Sequence, residues 1–414
     1  VWSINENNSS KIMIAISDVS FFIKKNDPLD IEAKKRGNSF YFPDRVIPMF
    51  PEEISNNICS LVPNKVRACI VVEIEINNYE ITSFKIHRAK IISTARLTYQ
   101  ETDEIYKKNL IKNKNFIIIK NLFETYKKLK KISERRNKIN FSSEEFQIVE
   151  KINKDFFLKK KENLESYKLI EEFMILANEN VAKYLKSNNL TSIFRNHEKP
   201  KDEKIKDLQK LLKENKIYNN EKFNNQKDFI KILGRIDKSN TFINDLLLRS
   251  QSKAYYDNKN IGHFGLGLDY YTHFTSPIRR YSDLNVHRDL IDHFFDKKKN
   301  NHEYSLSEHL TIQEKKSESI ERKVMEKACS LYIKNSKKKN FIGIIDGIES
   351  FGIFIRSIDL PFSCLARIKY KSFKKKEDYR KPSIDYKIGQ KVSFKIKRND
   401  ISSGKILAHN VKLI

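Results

Sequence analysis

The most restrictive feature of the sequence is a pair of segments in which apolar and polar residues alternate. In Ala68–Ile76 every second side chain is apolar, which is the period of a strand with one buried face. Asn77-Asn78 supplies a turn signal, and Glu80–Ile92 alternates in the same way. These segments predict a β-hairpin, and the apolar run Lys11–Ile16 predicts another strand in the same region.

Helical periodicity replaces this alternation from about Leu97 to Leu248. Leu122, Tyr126 and Leu129, for example, recur at the spacing of one helix face. A long helix is predicted over Leu306–Lys334. Strands therefore come first and helices follow in the first predicted domain, which we place over residues 1–336.

The last 75 or so residues have a third character. Short apolar segments there predict five strands, at Phe341–Ile345, Phe351–Ile355, Leu365–Ile368, Lys391–Lys397 and Lys405–Asn410. Five of the ten glycines of the chain lie among them, and we expect these glycines to mark turns. Five short strands with glycine turns are typical of a small all-β barrel of the OB fold. We therefore predict a second domain over residues 337–414, with the boundary near Lys337.

The charge of the chain points to a polyanionic partner. Lys and Arg number 80 against 53 Asp and Glu, a net charge of +27, and such a field attracts phosphate backbones. A lysine-rich composition from an A/T-biased genome is the alternative explanation. Hydrophobic residues make up 39%, which excludes a disordered chain, and no segment reaches the ~20 apolar residues of a membrane helix.

The four cysteines are scattered without a close pair. This spacing favours neither a disulfide framework nor a zinc site, so we expect reduced thiols and a cytoplasmic protein.

The segment His263–Asp283 combines glycines and aromatic residues with two adjacent arginines. Ser276 suits a helix N-cap and Pro277 a first helical position, so Arg279 and Arg280 are predicted to lie in a first helical turn. There they could bind a phosphate together with the free backbone N–H groups. The alternative is an ordinary surface salt bridge between Arg279 and Asp283.

The loop Arg36–Pro43 contains three adjacent aromatic residues. Such residues can stack on nucleic-acid bases, although core packing is the more common role. Tyr41 is predicted to point outward because its neighbours Phe40 and Phe42 are apolar. By local pattern alone, Tyr99 and Phe141 are ordinary core residues.

Several motifs in this order and spacing resemble the catalytic domain of the ribonuclease R family. They are Ile16–Ser20, Pro28–Gly37, Tyr41–Pro43, Val46–Met49, Leu61–Pro63, Ala95–Tyr99, Glu171–Asn178, Phe194–Pro200 and His263–Asp283. The resemblance extends from Val1 to about Asn335 and implies an α/β fold for this domain, a mixed sheet with helices. The remainder, with Gly343 and Phe351–Phe354, is similar to the RNA-binding OB domain of the ribosomal-protein S-one type.

The resemblance implies a processive 3′–5′ exoribonuclease that uses Mg²⁺ to hydrolyse single-stranded RNA to nucleoside 5′-monophosphates. It further implies a monomer that binds neither a membrane nor a small-molecule cofactor. The resemblance implies roles for the matching residues. Tyr41 and Phe141 form an aromatic clamp, and Tyr99 and Glu172 recognise ribose, with Glu171 as the alternative to Glu172. Arg279 binds a phosphate beside Arg280, and Glu321 makes a further contact in the channel.

One departure from the family concerns the metal site. The family binds its metal through an Asp-Phe-Asp-Asp cluster, which this sequence lacks. Asp18 aligns with a different aspartate and is not assigned as a ligand. Because the sequence starts at Val1 rather than Met, we expect the Mg²⁺ ligands upstream of Val1 and an inactive fragment on its own. The alternative is a protein that binds RNA through the same channel without hydrolysing it.

Overall fold

The computed structural model describes residues 1–141, 145–150, 156–217, 222–236, 241–295, 304–336, 338–367 and 386–414. Within these ranges the strands are β1 (Trp2–Glu6), β2 (Ser9–Ser17), β3 (Phe40–Tyr41), β4 (Val46–Ile47), β5 (Val66–Asn77), β6 (Glu80–Ile92), β7 (Phe146–Glu150), β8 (Phe156–Lys160), β9 (Phe194–Asn196), β10 (Tyr255–Asp257), β11 (Asn340–Glu349), β12 (Gly352–Ser357), β13 (Ser363–Arg367), β14 (Lys391–Asp400) and β15 (Lys405–Leu413).

The helices in the same ranges are α1 (Pro28–Arg36), α2 (Tyr99–Lys107), α3 (Phe116–Arg135), α4 (Glu165–Ser187), α5 (Asp202–Glu214), α6 (Gln226–Arg235), α7 (Thr241–Ser250), α8 (Tyr281–Phe294) and α9 (Tyr304–Asn335). Short 3₁₀ turns cover Val19–Phe21 and Phe264–Leu266, and a π-helical turn covers Glu53–Ile58.

The N-terminal strands form an antiparallel sheet in the order β1-β2-β5-β6. The predicted hairpin is confirmed, since β5 pairs with β6 across a turn in which Asn78 and Tyr79 both have positive φ. The alternation has the expected result, because Ile70, Val72 and Ile74 are fully buried.

Helices α3, α4 and α8 cover the apolar face of this sheet. Leu122, Tyr126 and Leu129 of α3 lie in the same core as the sheet residues, as their spacing predicted. Leu169 and Phe173 of α4 join them from a second helix. The predicted combination of a sheet with covering helices is confirmed, and the strands of this sheet are all antiparallel.

The region predicted to be helical, Leu97–Leu248, also contains strands. β7 pairs with β8 as an antiparallel hairpin, and β9 pairs with β10. These strands are three to five residues long, too short to stand out against the longer helices around them.

The C-terminal strands close into a five-stranded barrel in the order β11-β12-β13-β15-β14, as the OB prediction required. Closure depends on a short parallel pairing of β13 with β15, at Leu365 and Leu407. All five predicted strands are present, although Ile368, the predicted end of the third, lies outside the described residues.

The barrel glycines act differently from the prediction that they mark turns. Gly343 and Gly352 lie inside strands, where a Cβ at Gly343 would come within 2.6 Å of Ile355 and one at Gly352 within 2.4 Å of the Ala366 carbonyl. Both positions require glycine because the strands of the small barrel pack closely there. Gly389 and Gly404, with positive φ, are the turn glycines.

The long helix α9 connects the two parts of the chain. Cys329 and Ile333, near its end, belong to the barrel core, while Leu310, near its start, packs in a core cluster with α1 and α8 residues. A bidentate ion pair of Arg249 with Asp346, at 2.7 Å for both contacts, adds a second connection. The division at 336/337 stays a prediction, and Lys337 itself lies outside the described residues.

Two of the broader expectations concern membranes and thiols. None of the described helices is both long and apolar enough to cross a membrane. All four cysteines are buried and unpaired, and burial raises the pKa of the Cys329 and Cys364 thiols to about 12.

A buried ion pair ties α1 to α8 and thereby positions the loop that follows α1. Asp30 is 2% exposed. Its carboxylate lies 2.8 Å from the Arg288 guanidinium and accepts hydrogen bonds from the Tyr281 hydroxyl and the Asn26 N–H, both at 2.8 Å.

We predict that Asp30→Asn lowers the free energy of unfolding by about 3–5 kcal/mol, because it leaves Arg288 buried without a counter-charge. Urea unfolding followed by circular dichroism measures this change. Glu32→Gln, in the exposed Arg36–Glu32 pair of the same helix, is the matched control and should change stability little. Equal losses in both variants would contradict the importance of the buried pair.

Candidate functional site

A polar pocket of about 250 Å³ lies where the loop after α1, the start of α8 and the middle of α9 meet. Four of the predicted site residues line it together: Tyr41, Arg279, Arg280 and Glu321. These residues are up to 280 positions apart in the chain, so the fold brings them to one place.

Backbone hydrogen bonds hold two of these segments side by side. The Ser39 N–H donates to the Arg279 carbonyl at 3.0 Å, and the Tyr281 N–H donates to the Gly37 carbonyl at 2.9 Å. Gly37 has φ +74°, and a Cβ there would lie 2.8 Å from the Cβ of Gln313 on α9. Glycine at this position therefore permits both the end of α1 and the close approach of α9.

The predicted helix start at Ser276 is wrong. Residues 277–279 form a turn, closed by hydrogen bonds from the N–H groups of Arg279 and Arg280 to the Ser276 carbonyl. Helix α8 begins only at Tyr281, with Arg280 as its N-cap residue. The Tyr281 N–H is already bonded to Gly37, so this helix start is not the open anion site that the sequence suggested.

Asp283 explains the late start. Its buried carboxylate accepts hydrogen bonds from the Ser276 N–H at 2.8 Å, from the Ser282 hydroxyl at 2.9 Å and from two nitrogens of Arg280 at 2.7 and 2.9 Å. The alternative pairing of Arg279 with Asp283 is also wrong, because the partner of Asp283 is Arg280, whose side chain is half-buried while that of Asp283 is fully buried. Burial alone would lower the pKa of Arg280, but the Asp283 carboxylate outweighs it and raises that pKa.

Arg279 is left exposed by this arrangement. Within the described ranges its guanidinium has no hydrogen-bond or ion-pair partner, whereas that of Arg280 is held in place. Of the two arginines, Arg279 is the one that can meet an anion entering the pocket.

Tyr41 is exposed, at 45%, as predicted, while Phe40 and Phe42 are half-buried. Glu321 of α9 holds the backbone of this residue, because its Oε1 accepts hydrogen bonds from the Tyr41 N–H at 3.3 Å and from the Ser317 hydroxyl at 3.1 Å. Glu321 thus fixes the tyrosine at the pocket rim.

Phe141 does not line this pocket. Its half-buried ring packs against a separate apolar cluster, built by α5, α6 and α7 with Leu208 and Phe229 among its members. The clamp of Tyr41 and Phe141 stays a prediction.

Tyr99 lines a different, larger cavity of about 650 Å³ between the sheet and the helices α2, α3 and α4. It is the first residue of α2, after Thr98, whose side chain forms a capping box with Glu101. Its ring lies 4.2 Å from that of Tyr167, centroid to centroid. Tyr99 is exposed and Tyr167 is half-buried, so Tyr99 is the member of the pair that presents flat apolar surface.

Glu172 is buried and already has cationic partners. Its two carboxylate oxygens lie 2.8 Å from Lys138 Nζ and 3.3 Å from Arg136. Glu171, the alternative, is half exposed and contacts Lys138 at 2.5 Å. The roles of both glutamates in ribose recognition stay predictions.

One histidine contacts Tyr256 of the pocket wall, and two further histidines lie close to each other. The Tyr256 hydroxyl is 2.8 Å from His273 Nδ1, and the rings of His197 and His263 lie 4.9 Å apart. Burial, with the neighbouring His197 and Arg195, lowers the pKa of His263 to about 3. Burial also lowers the pKa of His273, so these rings are neutral at pH 7.

Sequence reasoning missed three groups of the pocket wall: Asn38, Tyr256 and the carboxylates of Glu314 and Glu318. A signal was available for the glutamates, because 314, 318 and 321 are spaced to share one helix face. Asn38 and Tyr256 come from a loop and a short strand, and the sequence offers no pattern that joins them.

The described residues do not fit a magnesium site. They contain no group of three or more His, Cys, Asp or Glu side chains arranged to hold a metal ion. The Asp18 carboxylate is engaged by Arg88 at 2.7 Å, by the Ser20 hydroxyl at 2.5 Å and by the Phe21 N–H at 3.0 Å.

Comparisons with known proteins give the family and confirm the fold. The model of the RNB domain family matches residues 2–296. Ribonuclease R of Escherichia coli (strain K12) is 33% identical over 389 residues, which cover 86% of this chain and 47% of that protein. The chain spans about half the length of the curated relatives it matches.

Two solved structures are similar over the complete chain. Mycoplasma genitalium RNase R in complex with ribose methylated single-stranded RNA has a TM-score of 0.90 and 28% identity, covering 100% of this chain and 68% of that one. The same enzyme in complex with double-stranded RNA has a TM-score of 0.87 and 28% identity, covering 100% and 72%.

Proposed function

The chain belongs to the RNB family, and from this premise we propose that the whole protein is a processive 3′–5′ exoribonuclease. It hydrolyses single-stranded RNA to nucleoside 5′-monophosphates and acts in RNA degradation. The observation that carries this proposal is the pocket that brings together an exposed tyrosine, an arginine without an ion-pair partner among the described residues, and a helix carboxylate. The resemblance assigns RNA contacts to these three positions.

Arg279 holds an RNA phosphate in this proposal. The different environments of the two arginines support this role. Asp283 forms an ion pair with Arg280, so Arg279 is the accessible cation of the two. A guanidinium can donate two parallel hydrogen bonds to one phosphate and offset charge that grows there during hydrolysis. Arg280 fixes the turn and thereby the position of Arg279.

Aromatic stacking holds the bases. Tyr41 at the pocket rim and Tyr99 beside Tyr167 offer exposed rings, and each stacked base contributes ~1–3 kcal/mol without sequence selectivity. Phe141 completes the clamp only if it leaves the apolar cluster on which its ring now packs. Glu172, or Glu171 in its place, contacts ribose.

The barrel grips the strand farther from the pocket. Phe351 and Phe354 are 54% and 37% exposed, with ring centroids 6.1 Å apart and nearly perpendicular planes. Together with the net charge of +27 they favour a single strand of RNA, held with an affinity that falls steeply as salt rises.

Mg²⁺ is the proposed cofactor of the whole protein, with its ligands supplied by aspartates upstream of Val1. In this proposal the role of the described residues, among which no metal-holding cluster is found, is to bind and orient the RNA. We further propose a cytoplasmic monomer, in keeping with four unpaired buried thiols.

We predict that the whole protein releases nucleoside 5′-monophosphates from the 3′ end of single-stranded RNA in Mg²⁺ and none in EDTA. Thin-layer chromatography of end-labelled RNA measures the release, and the 414-residue chain alone should bind the RNA without cleaving it. RNA binding by the whole protein without any mononucleotide release in Mg²⁺ would instead support the non-hydrolytic alternative.

We predict that Arg279→Ala weakens RNA binding by about 1.5–3 kcal/mol, the contribution of a hydrogen bond to a charged group. Fluorescence anisotropy with a short labelled RNA at fixed salt gives the two affinities. Arg96→Ala removes the same charge from an exposed arginine that does not line the pocket, so it serves as the control. An unchanged affinity, or an equal loss in the control, would refute the phosphate contact.

A further inference from the structure

The turn of the β5–β6 hairpin holds an aromatic residue in a backbone conformation that favours glycine. Asn78 and Tyr79 have φ of +48° and +67°, and Asn-Gly is the preferred pair at the centre of such a turn. A bulky side chain destabilises the turn, and strain of this kind is concentrated at functional sites. The side chain of Tyr79 therefore needs an explanation beyond the formation of the turn.

Two cations of helix α3 lie over the Tyr79 ring. Lys131 Nζ is 5.0 Å and the Arg135 guanidinium carbon is 4.9 Å from the ring centroid, both within the range of cation–π attraction. These two residues are four positions apart and share one helix face. Lys128, on the same face, donates hydrogen bonds of 2.8 and 2.9 Å to the first residues of β2, so its charge stays beside the turn.

Within the described ranges, none of these three cations of α3 forms an ion pair with a carboxylate. Lys107 and Lys108 of α2, in contrast, each pair with an acidic residue one helical turn earlier. Positive charge without a counter-charge creates a local field that attracts anions. The field is visible at the phenol, because the hydrogen bond and charge of Lys131, with the charge of Arg135, lower the pKa of Tyr79.

The hydroxyl of Tyr79 keeps its own hydrogen for another acceptor. Lys131 Nζ donates to the phenol oxygen at 3.0 Å, and a phenol that accepts a hydrogen bond can still donate one. Lys131 and Arg135 are exposed and Tyr79 is half-buried. The cluster thus offers a hydroxyl, an ammonium and a guanidinium to solvent, which is the set of donors that a phosphate group accepts.

The Tyr79 cluster, which consists of Tyr79, Lys131 and Arg135, is separate from the pocket. Ser17, at the end of β2 that leads towards α1, pairs with Cys69, and Asn77 lies eight residues further along β5. At ~3.3 Å per residue, the turn is about 26 Å along the sheet from that end of β2. None of the three residues of the cluster lines the pocket.

We propose that the Tyr79 cluster is a second RNA-binding site, which holds a phosphate group of the RNA backbone outside the pocket. This inference rests on the proposed function, because it takes RNA as the polyanionic partner. The site binds a part of the strand that has not entered the pocket, so it strengthens the binding of long RNA only. Because the donors of the cluster meet a phosphate and not a sugar, the site does not distinguish RNA from DNA.

The test compares the affinities of the 414-residue chain for a long oligo-rU and for one too short to extend beyond the pocket, by fluorescence anisotropy. Lys131→Met combined with Arg135→Met removes both charges but keeps apolar stems against the Tyr79 ring. This variant should bind the long RNA about tenfold more weakly and the short RNA unchanged. The slope of log affinity against log salt for the long RNA should fall by about 1.4, since each phosphate contact to a single strand contributes about 0.7.

Tyr79→Phe tests the same site without a change of charge. It keeps the ring and its packing on α3 and removes only the hydroxyl donor, so it should weaken binding of the long RNA about fivefold, the effect of one neutral hydrogen bond. Unchanged affinity for the long RNA in Tyr79→Phe would overturn the inference, whatever the double methionine variant does to the fold.

Lys127→Met combined with Lys130→Met is the matched control. Both lysines are exposed on α3, and Lys131 and Arg135 are the cations over the Tyr79 ring. The control has the same net charge as the double variant of the cluster and should change the affinity for the long RNA less than about twofold. Equal losses in the two double variants would show a diffuse attraction and overturn the inference. Failure of the unmodified chain to bind either RNA would instead overturn the proposed function.

Discussion

The geometry of the pocket depends on one buried carboxylate, that of Asp283. Because it accepts the Ser276 N–H and both reachable nitrogens of Arg280, residues 277–279 turn before the helix begins. This turn presents Arg279 to solvent and lets its carbonyl pair with Ser39. A single acidic side chain thereby separates two adjacent arginines into a structural cation and an accessible one, and a buried ion pair of this kind fixes conformation more than it adds stability.

Under the proposed function, the pocket also accounts for selectivity in where a basic protein of this kind binds RNA. The overall positive charge attracts any polyanion, but it is spread over many lysines and therefore does not determine where the polyanion binds. Inside the pocket, the exposed guanidinium of Arg279 shares the lining with the carboxylates of Glu318 and Glu321. In the proposed function, this mixed lining favours a nucleotide, which offers a phosphate to the arginine and sugar hydroxyls to the carboxylates. In this account the many lysines attract RNA from a distance, and the residues of the pocket select the nucleotide that binds there.

Local patterns predicted the elements whose formation depends on neighbouring residues. The β5–β6 hairpin, the long helix α9 and the five barrel strands all follow from periodicity and turn residues. Local patterns did not predict the start of α8, because it depends on contacts between residues that are distant in the chain. The Asp283 carboxylate accepts the N–H of Ser276, seven residues earlier, and the Gly37 carbonyl accepts the N–H of Tyr281, 244 positions later. The resemblance identified Tyr41, Arg279 and Glu321 as candidate site residues. Neither the resemblance nor the periodicity of the sequence could show that Glu172 is paired with Lys138 and Arg136, or that Phe141 packs against a separate apolar cluster.

The central claim is that Tyr41, Arg279 and Glu321 form one RNA-binding pocket. A crystal structure of the chain with a short single-stranded RNA tests it most directly. The account predicts a nucleotide in this pocket, with a phosphate oxygen within about 3 Å of the Arg279 guanidinium and a base stacked on the Tyr41 ring. RNA bound only along the barrel or the lysine-rich helices, with the pocket left to solvent, would contradict it.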